Sequence, residues 1–223
     1  SISLSQCQCI PGYELLTENG VTDCFPCKYN YYKNITSNEL CLQCPNNSYT
    51  VSTATNSFEF CICTNGYYGT APCTKCDFGY YSNFNEIDME CKACPLNSYT
   101  LNRSSTNVSD CLCLPGFYSS TGIGPCSPCP LKTYQPSYGS TTCIACSQNT
   151  VTLSVGSSAI YDCKCIEGYE GDGTLCLPCP YNSYKSIINN SACVTCPINS
   201  FTNRSLVNLI SSSVVNCICA PGY

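Results

Sequence analysis

Cysteine spacing constrains this chain more than any other feature. The pattern Cys-x-Cys-x-x-Gly-aromatic occurs five times, as Cys7-Cys9-Gly12-Tyr13, Cys61-Cys63-Gly66-Tyr67, Cys111-Cys113-Gly116-Phe117, Cys163-Cys165-Gly168-Tyr169 and Cys217-Cys219-Gly222-Tyr223. Successive copies start 54, 50, 52 and 54 residues apart. Each interval also carries two Cys-x-x-Cys pairs: Cys24/Cys27 and Cys41/Cys44, Cys73/Cys76 and Cys91/Cys94, Cys126/Cys129 and Cys143/Cys146, Cys176/Cys179 and Cys193/Cys196. Four periods of six cysteines plus a final pair account for all 26, so the chain is a tandem repeat. A unit this short cannot bury a sufficient apolar core by itself. A disulfide closing a 15-residue loop contributes roughly 3 kcal/mol in the chain-entropy description, so three bridges per repeat supply what the core lacks. Such repeats touch only their neighbours, which predicts an elongated rod.

With 26 Cys in 223 residues, the content exceeds the roughly 8–10 % that marks a disulfide scaffold. Bridges in that number persist in oxidising surroundings, which places the chain in a secreted or extracellular-surface setting. Paired Cys-x-x-Cys motifs also build zinc sites, but the chain has no His and the motifs recur in register with the Gly-aromatic signature. Disulfides are therefore expected, with no metal and no cofactor. The absence of His removes Ser-His and Cys-His nucleophiles, the 14 carboxylates are dispersed, and no Gly-rich phosphate loop occurs. The reading is not an enzyme.

Only 10 % of residues are charged and the net charge is −5, so neither nucleic acid nor an anionic membrane is an expected partner. Abundant Ser, Thr and Asn must keep the surface wet, and the low charge also suits a surface covered by neighbouring chains. No stretch approaches 18 apolar residues, so no membrane span is expected in this segment. Ser1-Ile-Ser-Leu-Ser-Gln6 is too short and polar for a signal peptide, and the segment reads as mature protein or as part of a longer one.

A weaker half-period lies inside each repeat. Pro-x-Asn-Ser-Tyr or a near variant follows many Cys-x-x-Cys pairs: Pro45 to Tyr49, Pro95 to Tyr99, Pro180 to Tyr184, Pro197 to Phe201. Pro and Asn mark a turn, and the aromatic with the Thr after it begins a short extended run. No helical periodicity is sustained. The fold class is small and disulfide-rich, built of short β-hairpins and loops.

On these residues the chain resembles the ephrin-receptor-like cysteine-rich repeat, a relative of EGF-like and TNF-receptor-like modules. The resemblance covers nearly the whole chain and implies tandem modules, with boundaries at 1–26 (partial), 27–75, 76–128, 129–178 and 179–223 (incomplete). An EGF-like order would pair Cys27–Cys44, Cys41–Cys61 and Cys63–Cys73. The same order gives Cys76–Cys94, Cys91–Cys111 and Cys113–Cys126, then Cys129–Cys146, Cys143–Cys163 and Cys165–Cys176. It ends with Cys179–Cys196 and Cys193–Cys217, while Cys9–Cys24 closes the partial first module. The half-period favours a competing scheme that pairs nearest neighbours, Cys27–Cys41 and Cys44–Cys61, and spacing alone does not choose between the two. Both schemes leave Cys7 and Cys219 unpartnered, so each is expected to bond outside this segment.

Six glycosylation sequons occur, at Asn34, Asn46, Asn102, Asn107, Asn189 and Asn203. Their placement in loops between cysteines of a secreted chain leads us to expect N-linked glycans. Glu86, Asp88 and Glu90 form the one acidic cluster and read as a solvated loop. The aromatics after each Gly (Tyr13, Tyr67, Phe117, Tyr169, Tyr223), and a second set (Tyr49, Tyr99, Phe201), are expected to pack between modules or to form a partner stripe. The expected function is a structural extracellular glycoprotein, a component of a fibril, filament or surface coat. Its partners would be itself, as homopolymer or neighbouring repeats, with glycans and other surface proteins. The alternative is a ligand-binding or adhesion ectodomain, which predicts one repeat that departs from the rest.

Overall fold

The computed structural model describes residues 7–83, 90–202 and 210–222. It is built of hairpin arms, each opening on one cysteine and closed by another. First arms run Cys9–Cys24, Cys63–Cys73, Cys113–Cys126 and Cys165–Cys176. Second arms run Cys27–Cys41, Cys76–Cys91, Cys129–Cys143 and Cys179–Cys193. Third arms run Cys44–Cys61, Cys94–Cys111, Cys146–Cys163 and Cys196–Cys217. The half-period of the sequence is thus a third-period in the structure, because the Cys-x-Cys-x-x-Gly segment opens an arm of the same kind.

One local rule generates every arm. The residue three after the opening cysteine has positive φ: Gly12, Gly66, Gly116 and Gly168 in first arms, Asn30, Gly79, Lys132 and Asn182 in second arms, Asn47, Asn97, Asn149 and Asn199 in third arms. That φ at the third position of a β-turn calls for Gly or Asn, and Lys132 is the one exception. The turn is closed by a hydrogen bond, as from Ser48 N–H to the Pro45 carbonyl at 3.1 Å or from Tyr13 N–H to the Ile10 carbonyl at 3.1 Å. A short strand follows and pairs antiparallel with the arm's return segment, as Tyr31–Tyr32 with Leu42–Gln43 and Thr150–Thr152 with Cys163–Cys165. Two-residue to six-residue strands suffice because the disulfide, not the ladder, holds each loop shut. Before the closing cysteine of each third arm stands a single 3₁₀ turn: Phe58–Phe60, Val108–Asp110, Ile160–Asp162 and Val214–Asn216.

The arrangement corrects the crossed connectivity. Cys27–Cys44, Cys41–Cys61, Cys76–Cys94, Cys91–Cys111, Cys129–Cys146, Cys143–Cys163, Cys179–Cys196 and Cys193–Cys217 do not form; nearest neighbours pair instead. The reason lies in the hairpin register. Pairing Tyr32 with Leu42 folds the return segment onto its own arm, leaving the Cys27 and Cys41 Cα atoms 5.8 Å apart, an ordinary disulfide spacing. Cys44 already belongs to the next arm, its N–H bonded to the Asn30 carbonyl at 2.8 Å.

The residues fall into two compact units, 1–94 with 99–111, and 95–98 with 112–223. In the first, Gly12 N–H donates to the Lys33 carbonyl at 2.9 Å and Ala54 N–H to the Cys27 carbonyl at 2.9 Å, tying first, second and third arms together. In the second unit, Gly116 N–H reaches the Gln135 carbonyl at 2.7 Å and Gly156 N–H the Cys129 carbonyl at 2.8 Å, repeating the scheme. Gly116 must be glycine twice over: its φ is +86°, and a Cβ there would lie 2.2 Å from the Gly156 carbonyl oxygen. Apart from cysteines, the buried apolar residues among those described are Ala71 and Tyr169. Sulfur and hydrogen-bonded polar side chains take the place of an aliphatic core.

Candidate functional site

The most regular buried position lies six residues after the opening cysteine of second and third arms. In third arms it is always Thr: Thr50, Thr100, Thr152 and Thr202, each buried. Each threonine hydroxyl accepts from the positive-φ residue of the preceding second arm, Asn30 at 2.9 Å, Gly79 at 2.8 Å, Lys132 at 2.9 Å and Asn182 at 3.0 Å. The turn that needs a special backbone is thereby also given its hydrogen-bond acceptor. These threonines were visible in the sequence as Cys-plus-six, but nothing in composition announces that they are buried.

Second arms place Lys33, Ser82, Gln135 and Lys185 at the same offset, all buried. Lys33 and Lys185 are each only 2 % exposed. The Lys33 ammonium donates to the carbonyls of Tyr13 at 2.8 Å and of Ser37; that of Lys185 donates to the carbonyls of Tyr169 at 2.9 Å and of Asn189. The carboxylate that follows the first-arm aromatic completes the set. Glu14 accepts from Cys41 N–H at 2.9 Å and Glu170 from Cys193 N–H at 2.7 Å. Burial pushes Lys185 below the usual lysine range, and the Glu170 charge opposes that shift. With carbonyls occupying the ammonium, this lysine acts as a strut between arms.

The first and fourth repeats share a further clamp. Asn38 donates to the Cys7 carbonyl at 3.2 Å and accepts from Cys9 N–H at 3.1 Å; Asn190 does the same for Cys163 at 3.2 Å and Cys165 at 3.0 Å. Cys7 is therefore held as Cys163 is, and Cys163 bonds Cys146 of the third arm before it. Cys7 and Cys219 are exposed free thiols.

The sequons among the described residues are in loops. Asn34, Asn46, Asn102 and Asn107 are exposed and Asn189 is half-buried. The Asn107 side chain caps the 3₁₀ turn Val108–Asp110, and Asn189 accepts from Ser191. Asn203 lies outside the described residues, as do Glu86, Asp88 and Tyr223. Tyr13, Tyr67 and Phe117 are half-buried, and Tyr169 is buried. Each begins the first strand of a first arm and pairs with Pro26, Lys75, Pro128 or Pro178 of the return segment. In the second set, Tyr99 lies over Gly79, where a Cβ would meet the ring at 2.8 Å, and Phe201 pairs with Ile218.

The second repeat carries an open cleft of about 640 Å³, lined by Tyr68, Lys75, Tyr80, Glu90 and the Asp77–Arg103 ion pair at 3.0 Å. Arg103 also lies 5.3 Å from the centre of the Phe78 ring. A hydrogen bond from Phe78 N–H, joined by Arg103, lowers the Asp77 carboxyl. Among the described residues there is no group of three or more potential metal ligands, and no helix long and apolar enough to cross a membrane.

A family model for tyrosine-protein kinase ephrin type A/B receptor-like repeats matches four times in tandem, at residues 15–61, 64–111, 116–163 and 168–217. Each match starts inside a first arm, after its opening cysteine, and runs through the second and third arms that follow. Cysteine repeat modular protein A of Toxoplasma gondii is 29 % identical over 183 residues, covering 75 % of this chain and 6 % of that protein. Ephrin type-B receptor 2 of Gallus gallus is 44 % identical over 68 residues, 30 % of this chain and 6 % of the receptor. A sushi, von Willebrand factor type A, EGF and pentraxin domain-containing protein of Rattus norvegicus is 44 % identical over 45 residues, 20 % of this chain and 1 % of that protein. The chain thus spans 6 % or less of the length of these relatives.

Proposed function

Because the chain belongs to the ephrin type A/B receptor-like family of cysteine-rich repeats, we propose that it is a structural part of an extracellular glycoprotein, a component of a fibril, filament or surface coat. The observation that carries this reading is the uniformity of the arms. Twelve loops are closed the same way, and the slot at Cys-plus-six is spent on bonds between arms rather than on a ligand. Such units spread load along a chain while presenting little chemistry of their own. In this reading the sequons at Asn34, Asn46, Asn102, Asn107, Asn189 and Asn203 carry glycans. Cys7 bonds a cysteine of a preceding third arm, and Cys219 bonds the closing cysteine of a following first arm, as their counterparts Cys163 and Cys165 do. The partners are neighbouring repeats and other copies, with no metal and no cofactor.

The second reading, a ligand-binding ectodomain, is favoured by the cleft of the second repeat, where two tyrosines and both signs of charge meet in a chain otherwise poor in charge. Electron microscopy of native material decides between them. Fibrils or a continuous coat support the structural reading; dispersed single molecules that bind a glycan or protein array through Tyr68 and Tyr80 overturn it.

A further inference from the structure

The third repeat departs from the others in what it lacks. Between Asn107 and Asn189 there is no sequon. From Cys113 to Cys163 the charged residues are Lys132 and Asp162 alone, and they cancel. The other repeats are acidic on balance: Cys9 to Cys61 holds five carboxylates against two lysines, and Cys63 to Cys111 five against three cations. The third-arm loop of this bare repeat, residues 153–162, nevertheless exposes large apolar side chains: Leu153 at 68 %, Val155 at 56 % and Tyr161 at 66 %. They sit on one ten-residue loop whose ends are pinned by the Thr152–Cys163 register and by the Cys146–Cys163 bridge. The corresponding loops of the second and fourth repeats carry the sequons Asn102, Asn107 and Asn203.

We infer that loop 153–162 is the surface on which one copy of this chain meets a second copy. The inference rests on the structural reading above and names the partner that reading requires. Charge selects the occupant. Two acidic chains repel wherever their first or second repeats meet, and the third repeat is where like meets like without that cost. A partner of opposite charge would be drawn to the acidic repeats instead. Exposed apolar side chains on a sequon-free loop of a neutral repeat are what such a contact uses. Stable interfaces bury roughly 1,200–2,000 Å² in total, more than three side chains on each copy provide, so one contact is weak.

Sedimentation velocity tests this on the 223-residue chain secreted from a glycosylating host, with Cys7 and Cys219 alkylated. The parent associates with rising concentration. Val155→Asn completes an Asn-Gly156-Ser157 sequon and weakens association at least tenfold once glycan occupancy is verified by mass. Leu153→Glu weakens it similarly without a glycan, while Val51→Glu, on the matching loop of the first repeat, does not. Twelve intact disulfides in each variant show that folding is retained. A chain monomeric throughout, association indifferent to both loop variants, or equal loss in Val51→Glu overturns the inference. Native fibrils together with loop-indifferent association would refute this contact and leave the structural reading standing. Loop-dependent association without native assemblies would refute the structural reading alone.

Discussion

Replacing Thr100 by Val isolates the bond that joins a third arm to the turn of the second arm before it. The side chain is wholly buried and nearly isosteric with Val, so packing is conserved while the hydroxyl that accepts from Gly79 N–H at 2.8 Å is removed. A buried donor left without its partner costs about 1–3 kcal/mol. Gly79 is only half-buried, so water can relieve part of that loss, and about 1–2 kcal/mol is the expected range. At about 1.4 kcal/mol per factor of ten, the Gly79 amide should exchange its hydrogen roughly 5- to 30-fold faster in Thr100→Val. Amide exchange followed residue by residue is the assay, since a stapled repeat array does not offer one cooperative melting transition to read. Thr100→Ser should restore slow exchange, because it keeps the oxygen. Thr152→Val should act on the Lys132 amide in the same range, through the equivalent bond at 2.9 Å. Unchanged exchange at Gly79 in Thr100→Val, with Thr100→Ser faster than Val, would refute the claim that the hydroxyl holds the turn.

Gly116→Ala places a methyl against the Gly156 carbonyl at positive φ and should cost at least about 2 kcal/mol, read as a drop in secreted yield and the appearance of mixed disulfide isomers. Lys185 is folded with a lowered pKa, so between that value and 10.5 the unfolded chain binds more protons and stability rises with pH. In Lys185→Met this rise is absent; denaturation of the alkylated proteins between pH 8 and pH 10.5, roughly the interval below the unfolded lysine value, checks it. Chymotryptic cleavage after Leu42 separates Cys41 from Cys44, and mass mapping should then recover Cys27 linked to Cys41, with no Cys27–Cys44 peptide. Converting Cys146 and Cys163 together to Ala opens a loop of 17 residues and should lower local stability by about 3 kcal/mol, measured as faster exchange at Thr150–Thr152 than in the parent.

What could be read without coordinates is what arises within a few residues of a cysteine. Cys-Pro-x-Asn-Ser-Tyr announces its turn because Asn tolerates positive φ and Pro cannot extend a strand, and all four third arms turn where that signal stands, even Ser147-Gln-Asn149 where the Pro is lost. The period, the hairpin class and the family follow from the same local chemistry. Connectivity did not. The half-period and the family resemblance pointed to different partners for Cys27, and both partners lie at permissible chain separations. Only the register of Tyr31–Tyr32 on Leu42–Gln43 brings Cys41 to it and carries Cys44 onward. Lys33 and Lys185 were hidden for a related reason: a lysine among Tyr and Asn reads as solvated, and its burial comes from carbonyls of a first arm 16 to 20 residues earlier. Turn chemistry is short-ranged and written in residue type. Burial depends on how arms stack and disulfide choice on hairpin register, and both are set by bonds between segments that the chain brings together only on folding.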